Sequence, residues 1–252
     1  MRVTEIFFSL QGEGSRAGRP CVFVRFTGCD LRCGYCDTAY AFHGGRELGQ
    51  EAILEEVARH PTRLVCLTGG EPMLQRELPA LAAALLARGH EVTIETHGQR
   101  PLDGLPREVI RIVDVKTPGS GEVTTDFGYL DRLAPHDEVK FVVCSEADFR
   151  WSLDVVRRHG LEGRVEVLFS PAWGERRSPG PGALDARGGP GALAPLAPDP
   201  QGDLGAGDEG GLSLGWRGLS PSGALPDILT AARSGRLAVL RRHTPCSRSS
   251  PA

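Results

Sequence analysis

The sequence lacks three features that would each identify a class of protein. No apolar run approaches the length of a membrane-spanning helix, and the N-terminal apolar patch at residues 6–8 is too short for a signal peptide. Positive charge is not in excess, because 29 Lys and Arg residues face 32 Asp and Glu residues, whereas a nucleic-acid-binding surface usually shows a basic surplus. We therefore expect no membrane partner and no nucleic-acid partner.

The even number of cysteines that is typical of a disulfide framework is also lacking. The chain has seven cysteines, an odd number, which favours reduced thiols in the cytoplasm over a disulfide framework. No second Cys-x-x-Cys and no paired His follows Cys36, and a closed structural zinc site would need four ligands. The sequence therefore predicts a cytoplasmic protein and a metal site with fewer than four protein ligands.

Three of the cysteines, Cys29, Cys33 and Cys36, lie in one short loop after the apolar strand predicted at residues 21–26. Thiolates are soft ligands that suit zinc or iron–sulfur centres, and a tight loop brings them together at little cost in chain entropy. Three ligands leave one metal position open, where a small molecule can bind and be activated. A fragment of a zinc loop is an alternative. A thioredoxin-like redox pair is another, although Cys33 and Cys36 open no βαβ helix.

The composition of the chain changes after Gly174. Beyond it Gly, Pro, Ala and Arg dominate, and Phe, Tyr and Lys are absent. A segment poor in aromatic and β-branched residues cannot bury enough surface to order itself. We expect a folded domain over residues 1–174 and a low-complexity, disordered tail over residues 175–252, in which only residues 225–240 are predicted to form a short helix.

Strands and helices alternate in the N-terminal part. Two strands joined by a glycine-containing loop are expected within residues 3–26. Further helices are predicted at residues 50–60, 78–86, 129–133 and 147–158, and further strands at residues 64–67, 92–95, 109–115, 138–143 and 164–169. This alternation predicts an α/β fold with a parallel sheet and right-handed crossovers, and about six such units make an incomplete (β/α)6-type barrel.

Polar or glycine-rich segments follow five of the predicted strands. They are the cysteine loop and residues 68–72, 95–98, 114–118 and 170–174. Each could be ordinary turn chemistry, but parallel strands present their carboxyl ends at one rim, where such folds bind ligands. In residues 68–72 two glycines allow close backbone approach, and Glu71 can meet an ammonium group.

Five individual residues lead to further predictions. Arg25 lies in an otherwise apolar strand, where an arginine is costly unless it is paired, so it either reaches an edge or binds an anion. Cys21, Cys66 and Cys144 lie in apolar segments and are expected in the core. His97 can either contact a ligand or serve a structural role.

The spacing Cys-x3-Cys-x2-Cys, together with Gly69-Gly70-Glu71-Pro72, resembles the radical S-adenosylmethionine (SAM) superfamily. That resemblance implies that the three cysteines hold a [4Fe–4S] cluster, that SAM chelates the fourth iron, and that the Gly-Gly-Glu-Pro segment binds the amino group of SAM. Residues 95–96 and 114–116 would offer acceptors and a cation to the ribose and carboxylate of SAM.

Four further segments resemble the 7-carboxy-7-deazaguanine synthase family of the queuosine pathway. They are residues 9–14, 22–26, 36–38 and 169–174. The implied substrate-binding residues are Leu10, Gln11, Gly12, Arg25 and Thr68. Arg25 would be the bidentate partner of a substrate carboxylate, and the Thr38 hydroxyl, a hard oxygen ligand, would bind Mg²⁺. The implied SAM-contacting residues are Tyr35, Cys36, Asp37, Gly70, Asp114, Val115 and Lys116.

The resemblance also implies a reaction. The reduced cluster passes one electron to SAM, and the resulting 5′-deoxyadenosyl radical takes a hydrogen atom from C6 of 6-carboxy-5,6,7,8-tetrahydropterin, whose ring contracts with loss of ammonia while SAM is regenerated. An electron donor such as flavodoxin or ferredoxin and a homodimer are implied as well. Two alternatives stay open, a small radical SAM activase that makes a glycyl radical on a partner protein and a non-catalytic metal-binding module. Arg25 and the loop at residues 9–14 favour the small-molecule substrate.

The sequence departs from the family pattern after residue 174. The family continues into a helix and a final strand, with a Gln-x-His-Lys segment and a Trp near a terminal Gly-Pro that closes over the substrate, and this sequence shows none of these. A radical enzyme must shield its intermediate from water. We therefore expect the chain to bind its cluster and SAM but to turn the pterin over poorly.

Overall fold

The computed structural model describes residues 1–122, 124 and 126–172 and the backbone of residues 237–239. The strands in these ranges are β1 (Arg2–Leu10), β2 (Pro20–Phe26), β3 (Arg46–Glu47), β4 (Leu64–Gly69), β5 (Glu91–Thr96), β6 (Ile110–Val115), β7 (Glu138–Val143), β8 (Glu166–Pro171) and β9 (Leu237–Val239). They form one open sheet in the order β3-β1-β2-β4-β5-β6-β7-β8-β9. Every pair from β2 to β9 is parallel, whereas β1 is antiparallel to both of its neighbours. The predicted α/β fold with a parallel sheet is confirmed.

Three α-helices in the described ranges pack on one face of this sheet. They are α1 (Gln50–Ala58), α2 (Leu78–Ala87) and α3 (Glu146–Arg158). Their apolar side chains meet strand residues such as Val24, Leu67 and Phe141 in one buried cluster. Because side chains alternate along a strand, the sequence neighbours of these residues point to the opposite face of the sheet. None of the described helices is long and apolar enough to cross a membrane.

The opposite face of the sheet, which we call the inner face, carries the polar residues of the strands. Cys21, Phe23 and Arg25 alternate with the core residues of β2, and Lys140 does the same in β7. Cys21 and Cys66 are buried beneath this face, as expected. Cys144 is exposed instead, because β7 ends at Val143 and the chain turns towards α3.

The structure differs from the predicted elements in three places. The helix predicted at residues 129–133 is a single 3₁₀ turn, Leu130–Arg132, because five residues are too few to offset the cost of helix nucleation. Strand β3 was not predicted, since two residues give no periodic signal. Within the helix predicted at residues 225–240, residues Leu237–Val239 form a strand beside β8. The other tail residues, and with them the expected disorder, lie outside the described residues.

Candidate active site

The carboxyl ends of the parallel strands surround a cavity of about 480 Å³ on the inner face of the sheet. All five segments that the sequence places at this rim contribute to its wall, including the cysteine loop. Parallel strands that end at the same edge bring together residues far apart in sequence. The cavity is therefore the candidate active site.

The loop after β2 directs three thiols into this cavity. Cys29, Cys33 and Cys36 are half-buried, are not in disulfides, and all line the cavity wall. The N–H of Cys36 donates to the Cys33 carbonyl at 3.1 Å, which closes a tight turn, and the N–H of Leu31 donates to Cys29 Sγ at 3.4 Å. Burial raises the pKa of the Cys29 thiol, and it raises the pKa of Cys33 to about 11. Three soft donors converging on one cavity fit an iron–sulfur cluster, whose positive charge would favour the thiolates.

Gly69 and Gly70 bring the end of β4 against the start of the cysteine loop. The N–H of Gly70 donates to the Phe26 carbonyl at 3.2 Å, and the N–H of Glu71 donates to the Gly28 carbonyl at 2.7 Å. A Cβ atom on Gly70 would overlap the Gly28 carbonyl and press on the Cys29 side chain. The glycine is therefore required by the backbone approach that positions the first cysteine.

The substitution Gly70→Ala should reduce cluster binding. Because the added methyl would meet backbone atoms, which cannot rotate away, the segment at Gly28 and Cys29 must shift, and we expect a several-fold loss of iron per chain after anaerobic reconstitution. Gly12→Ala is the matched control, since a Cβ there would meet open space in the same cavity. Iron content that falls equally in both variants would contradict this role of Gly70.

Glu71 does not face the cavity, which corrects the expectation that it meets an ammonium group. Its side chain is fully buried. One carboxylate oxygen accepts hydrogen bonds from the N–H of Met73 at 2.9 Å and from the hydroxyl of Thr96 at 2.8 Å, and the other accepts from the N–H of His97 at 3.0 Å. Glu71 therefore joins the end of β4 to the end of β5 from within the fold.

His97 has a structural role of the same kind, although its ring also reaches the cavity wall. Its Nδ1 accepts the N–H of Gln99 at 3.1 Å, so the proton lies on Nε2, which donates to Asp30 at 3.0 Å. Burial opposes the charge of Asp30, but this hydrogen bond and the charge of Arg100 prevail and lower the pKa of the Asp30 carboxyl. Donor atoms of Cys29, Asp30 and His97 lie within 4.8 Å of one another, yet the hydrogen bond already joins two of them. His97 thus ties β5 to the cysteine loop.

Two of the predicted substrate-binding residues meet at one carboxylate. The hydroxyl of Thr68 donates to Glu95 at 2.8 Å, and the side-chain amide of Gln11 donates to the other oxygen of Glu95 at 3.4 Å. Both residues line the cavity, as do Gly12 and Arg25. Leu10 does not line it, because its side chain is 61% exposed on the opposite face of β1.

The predicted SAM-contacting residues lie mostly on the other side of the cavity. Tyr35, Asp37, Gly70, Asp114 and Lys116 all line the wall, next to the cysteines. Val115 contributes no side chain there, since it is fully buried in the helix-covered core. Thr38 also lines the wall, and its hydroxyl donates to Asp37 at 2.8 Å.

A row of largely buried charges connects these two sides. Asp114 lies 3.0 Å from the ammonium of Lys116 and 3.6 Å from that of Lys140, and Lys140 also donates to Glu13 at 2.8 Å. Burial disfavours each charge, but the lysines outweigh it and lower the pKa of Asp114, while Asp114 and Glu13 raise the pKa of Lys140. These shifts favour the charged forms of Asp114 and Lys140, and the four side chains form a network between the loop after β1 and the end of β6.

Sequence reasoning missed Lys140 and Glu13, although two signals point to Lys140. Lys140 is the one charge within the otherwise apolar residues 139–143 of β7, which matches the pattern that singled out Arg25. Moreover, Lys116 and Lys140 are the only lysines in the entire sequence, and both line the cavity. A chain that uses arginine for its other side-chain cations keeps lysine where a compact point charge fits.

The loop between β1 and β2 closes the floor of the cavity. Arg16 pairs with Glu138 and with Glu91, each at 2.7 Å, at the amino ends of β7 and β5. Gly14 has φ +72°, and a Cβ atom there would overlap the Glu138 carboxylate. This anchoring holds the preceding residues of the loop, Gln11 to Glu13, against the inner face.

The fold and the thiol set together define a class. The chain matches the family model described as the radical SAM superfamily over residues 23–162, so it belongs to that superfamily and is an enzyme that uses a [4Fe–4S] cluster and SAM. The crystal structure of QueE from Escherichia coli has the same fold, with a TM-score of 0.57 and 24% identity over 68% of this chain and 83% of that one.

Curated relatives define the family more narrowly. A 7-carboxy-7-deazaguanine synthase of Koribacter versatilis is 50% identical over 177 residues, which cover 69% of this chain and 78% of that protein. One of Methanospirillum hungatei is 39% identical over 175 residues, 69% of this chain and 74% of that protein. The chain belongs to the 7-carboxy-7-deazaguanine synthase family, which confirms the predicted resemblance.

Proposed function

We propose that this protein converts 6-carboxy-5,6,7,8-tetrahydropterin to 7-carboxy-7-deazaguanine with loss of ammonia. The observation that carries the proposal is one cavity that joins three thiols to an arginine and a hydrogen-bonding set of Gln11, Thr68 and Glu95. A cation and hydrogen-bonding groups suit a small acidic heterocycle. The activase alternative is not favoured by the relatives, and membership of an enzyme family argues against a non-catalytic metal-binding module.

Residues in different parts of the cavity would bind different groups. Cys29, Cys33 and Cys36 would hold the cluster, and Gly70 and Asp114 to Lys116 would hold SAM beside it. When bound, the cluster and SAM would supply the radical chemistry that acts at C6 of the pterin. The protein's own contribution is to orient the two ligands and to exclude water, since the reaction depends on holding the reacting atoms close together.

The substrate side would recognise the pterin through charge and hydrogen bonds. Arg25 would take its carboxylate, because a guanidinium fork matches a carboxylate in two parallel hydrogen bonds. Thr68 and Gln11 hold Glu95 in place, so that its carboxylate can accept N–H groups of the ring. The Glu13–Lys140 pair would couple the loop that carries Gln11 to the SAM side of the cavity.

Magnesium would bind at Thr38. Its hydroxyl donates to Asp37, which leaves lone pairs on the hydroxyl oxygen for a cation. Mg²⁺ prefers such hard oxygen ligands and completes its shell with water and substrate oxygens. We also propose a cytoplasmic homodimer reduced by a flavodoxin or ferredoxin. The exposed apolar side chains Phe8 and Leu10 on β1 are available for a contact between subunits.

The test is turnover by the anaerobically reconstituted protein, with the product identified by mass spectrometry. Arg25→Lys should weaken binding of the carboxypterin by a few kcal/mol at most, the scale of a charged hydrogen bond, because it keeps the charge and loses the fork. SAM binding should survive, and titration of both ligands measures the difference. Equal loss of both ligands would assign Arg25 to folding. Because slow turnover is expected of this chain, absence of any ring-contracted product after prolonged incubation with SAM bound would contradict the proposed function.

A further inference from the structure

The first strand contains an irregularity beside Arg25. Val3 pairs with Phe26 and Glu5 pairs with Arg25, so two residues of β1 span one step of β2 and form a β-bulge. In a regular strand Val3 and Glu5 would point to the same face. Here Val3 is fully buried in the helix-covered core, whereas Glu5 reaches Arg25 on the inner face. The bulge therefore turns Glu5 towards the cavity side, a use for which bulges near active sites are known.

Glu5 holds one particular nitrogen of Arg25. Arg25 Nε donates to Glu5 Oε1 at 2.7 Å, and the hydroxyl of Tyr40 donates to the same oxygen at 2.8 Å. The guanidinium carbon lies 5.7 Å from the ring centre of Phe7 and 5.8 Å from that of Tyr40, within the range of cation–π attraction. The hydrogen bond and the two rings together fix the rotation of the guanidinium group.

The two terminal nitrogens of Arg25 differ from Nε, because no described residue accepts a hydrogen bond from them. Among the described residues, Glu5 is the only acceptor that Arg25 binds, while Arg25 itself lines the cavity. A guanidinium can meet a carboxylate either side-on, through Nε and one terminal nitrogen, or end-on, through both terminal nitrogens. Because Nε is already engaged, the end-on geometry is the one left for a ligand in the cavity.

We propose that Glu5 is a positioning residue that fixes Arg25 for end-on, bidentate binding of the substrate carboxylate; this rests on the function proposed above. The negative charge of Glu5 also repels that carboxylate. Position and repulsion act in opposite directions, so variants that separate them decide between the two roles.

The experiment measures equilibrium binding of 6-carboxytetrahydropterin, of tetrahydropterin without the carboxylate, and of SAM to the reconstituted protein. Glu5→Ala removes the acceptor and should weaken carboxypterin binding by about tenfold, the scale of one hydrogen bond to a charged group. Glu5→Gln keeps an acceptor oxygen and should stay within about threefold of the unmodified protein. Neither variant should change binding of the decarboxylated pterin or of SAM. Glu56→Ala, which removes a carboxylate from an exposed pair with Arg59, is the matched control.

Four outcomes would overturn the inference, and one of them would also contradict the proposed function. Unchanged or tighter carboxypterin binding by Glu5→Ala would show that repulsion prevails over positioning. Equal weakening of both pterins would indicate a general loss of structure, and a Glu5→Gln variant as weak as Glu5→Ala would assign the effect to charge. If the unmodified protein binds SAM but not the carboxypterin, the proposed function fails together with this inference.

Discussion

Replacing any one of Cys29, Cys33 and Cys36 with alanine is expected to abolish the cluster, whereas the unmodified chain should bind about four irons after anaerobic reconstitution, the content of one [4Fe–4S] centre. A cubane held by three thiolates loses one of its three attachments to the chain with each substitution, and no described cysteine outside that loop lines the cavity to replace the lost ligand. Iron and sulfide analysis and the visible absorption of the cluster measure the effect.

Cys66→Ala is the matched control for these variants. Cys66 is fully buried beneath the inner face and is absent from the cavity wall, so its replacement should leave the iron content unchanged. If Cys29→Ala kept a full cluster while Cys66→Ala lost it, the ligand assignment would be wrong.

Lys140→Met is expected to have the second largest effect, a loss of about 2–3 kcal/mol in the free energy of unfolding, because it removes the charged donor that Glu13 accepts and one of the two lysines beside Asp114. Asp114 and Glu13 both face Lys140, and methionine has a similar length without the charge. Urea unfolding of the cluster-free chain, followed by circular dichroism, measures the change.

Arg88→Met supplies the comparison for a surface pair. Arg88 contacts Glu51 at 2.8 Å with both side chains exposed, and such pairs contribute at most about 1 kcal/mol. Equal stability of the two variants would mean that the cavity network is not coupled to folding. Adding Glu13→Gln to Lys140→Met should recover part of the loss, since it removes the negative charge whose ion pair with Lys140 has been lost.

The sequence alone predicted the features that depend on contiguous residues. The three cysteines lie within eight residues, so their spacing specifies a ligand set without knowledge of the fold. The parallel strands were predicted for a similar reason, because runs such as residues 64–67 are short, apolar and bounded by turn residues.

Features that depend on which face a residue occupies were not predictable in this way. Glu71 was expected at a ligand, but its carboxylate is taken up by Thr96 and His97, residues some 25 positions away along the chain. Glu5 reaches Arg25 only because of a bulge, and one inserted residue reverses the face of every residue before it. Lys140, by contrast, was within reach of sequence reasoning, since a charge flanked by apolar residues in a buried parallel strand requires a partner.

The placement of both lysines in the cavity has a practical consequence for labelling this protein. Amine-directed reagents find no other lysine in the sequence, and the N-terminal amine already donates to the Leu48 carbonyl at 2.8 Å. Acylation of the folded chain would therefore report on access to the cavity, and ligands bound there should slow it. Conversely, cross-linking this protein to a redox partner through surface lysines is expected to fail, so carboxylate-directed chemistry is the suitable route.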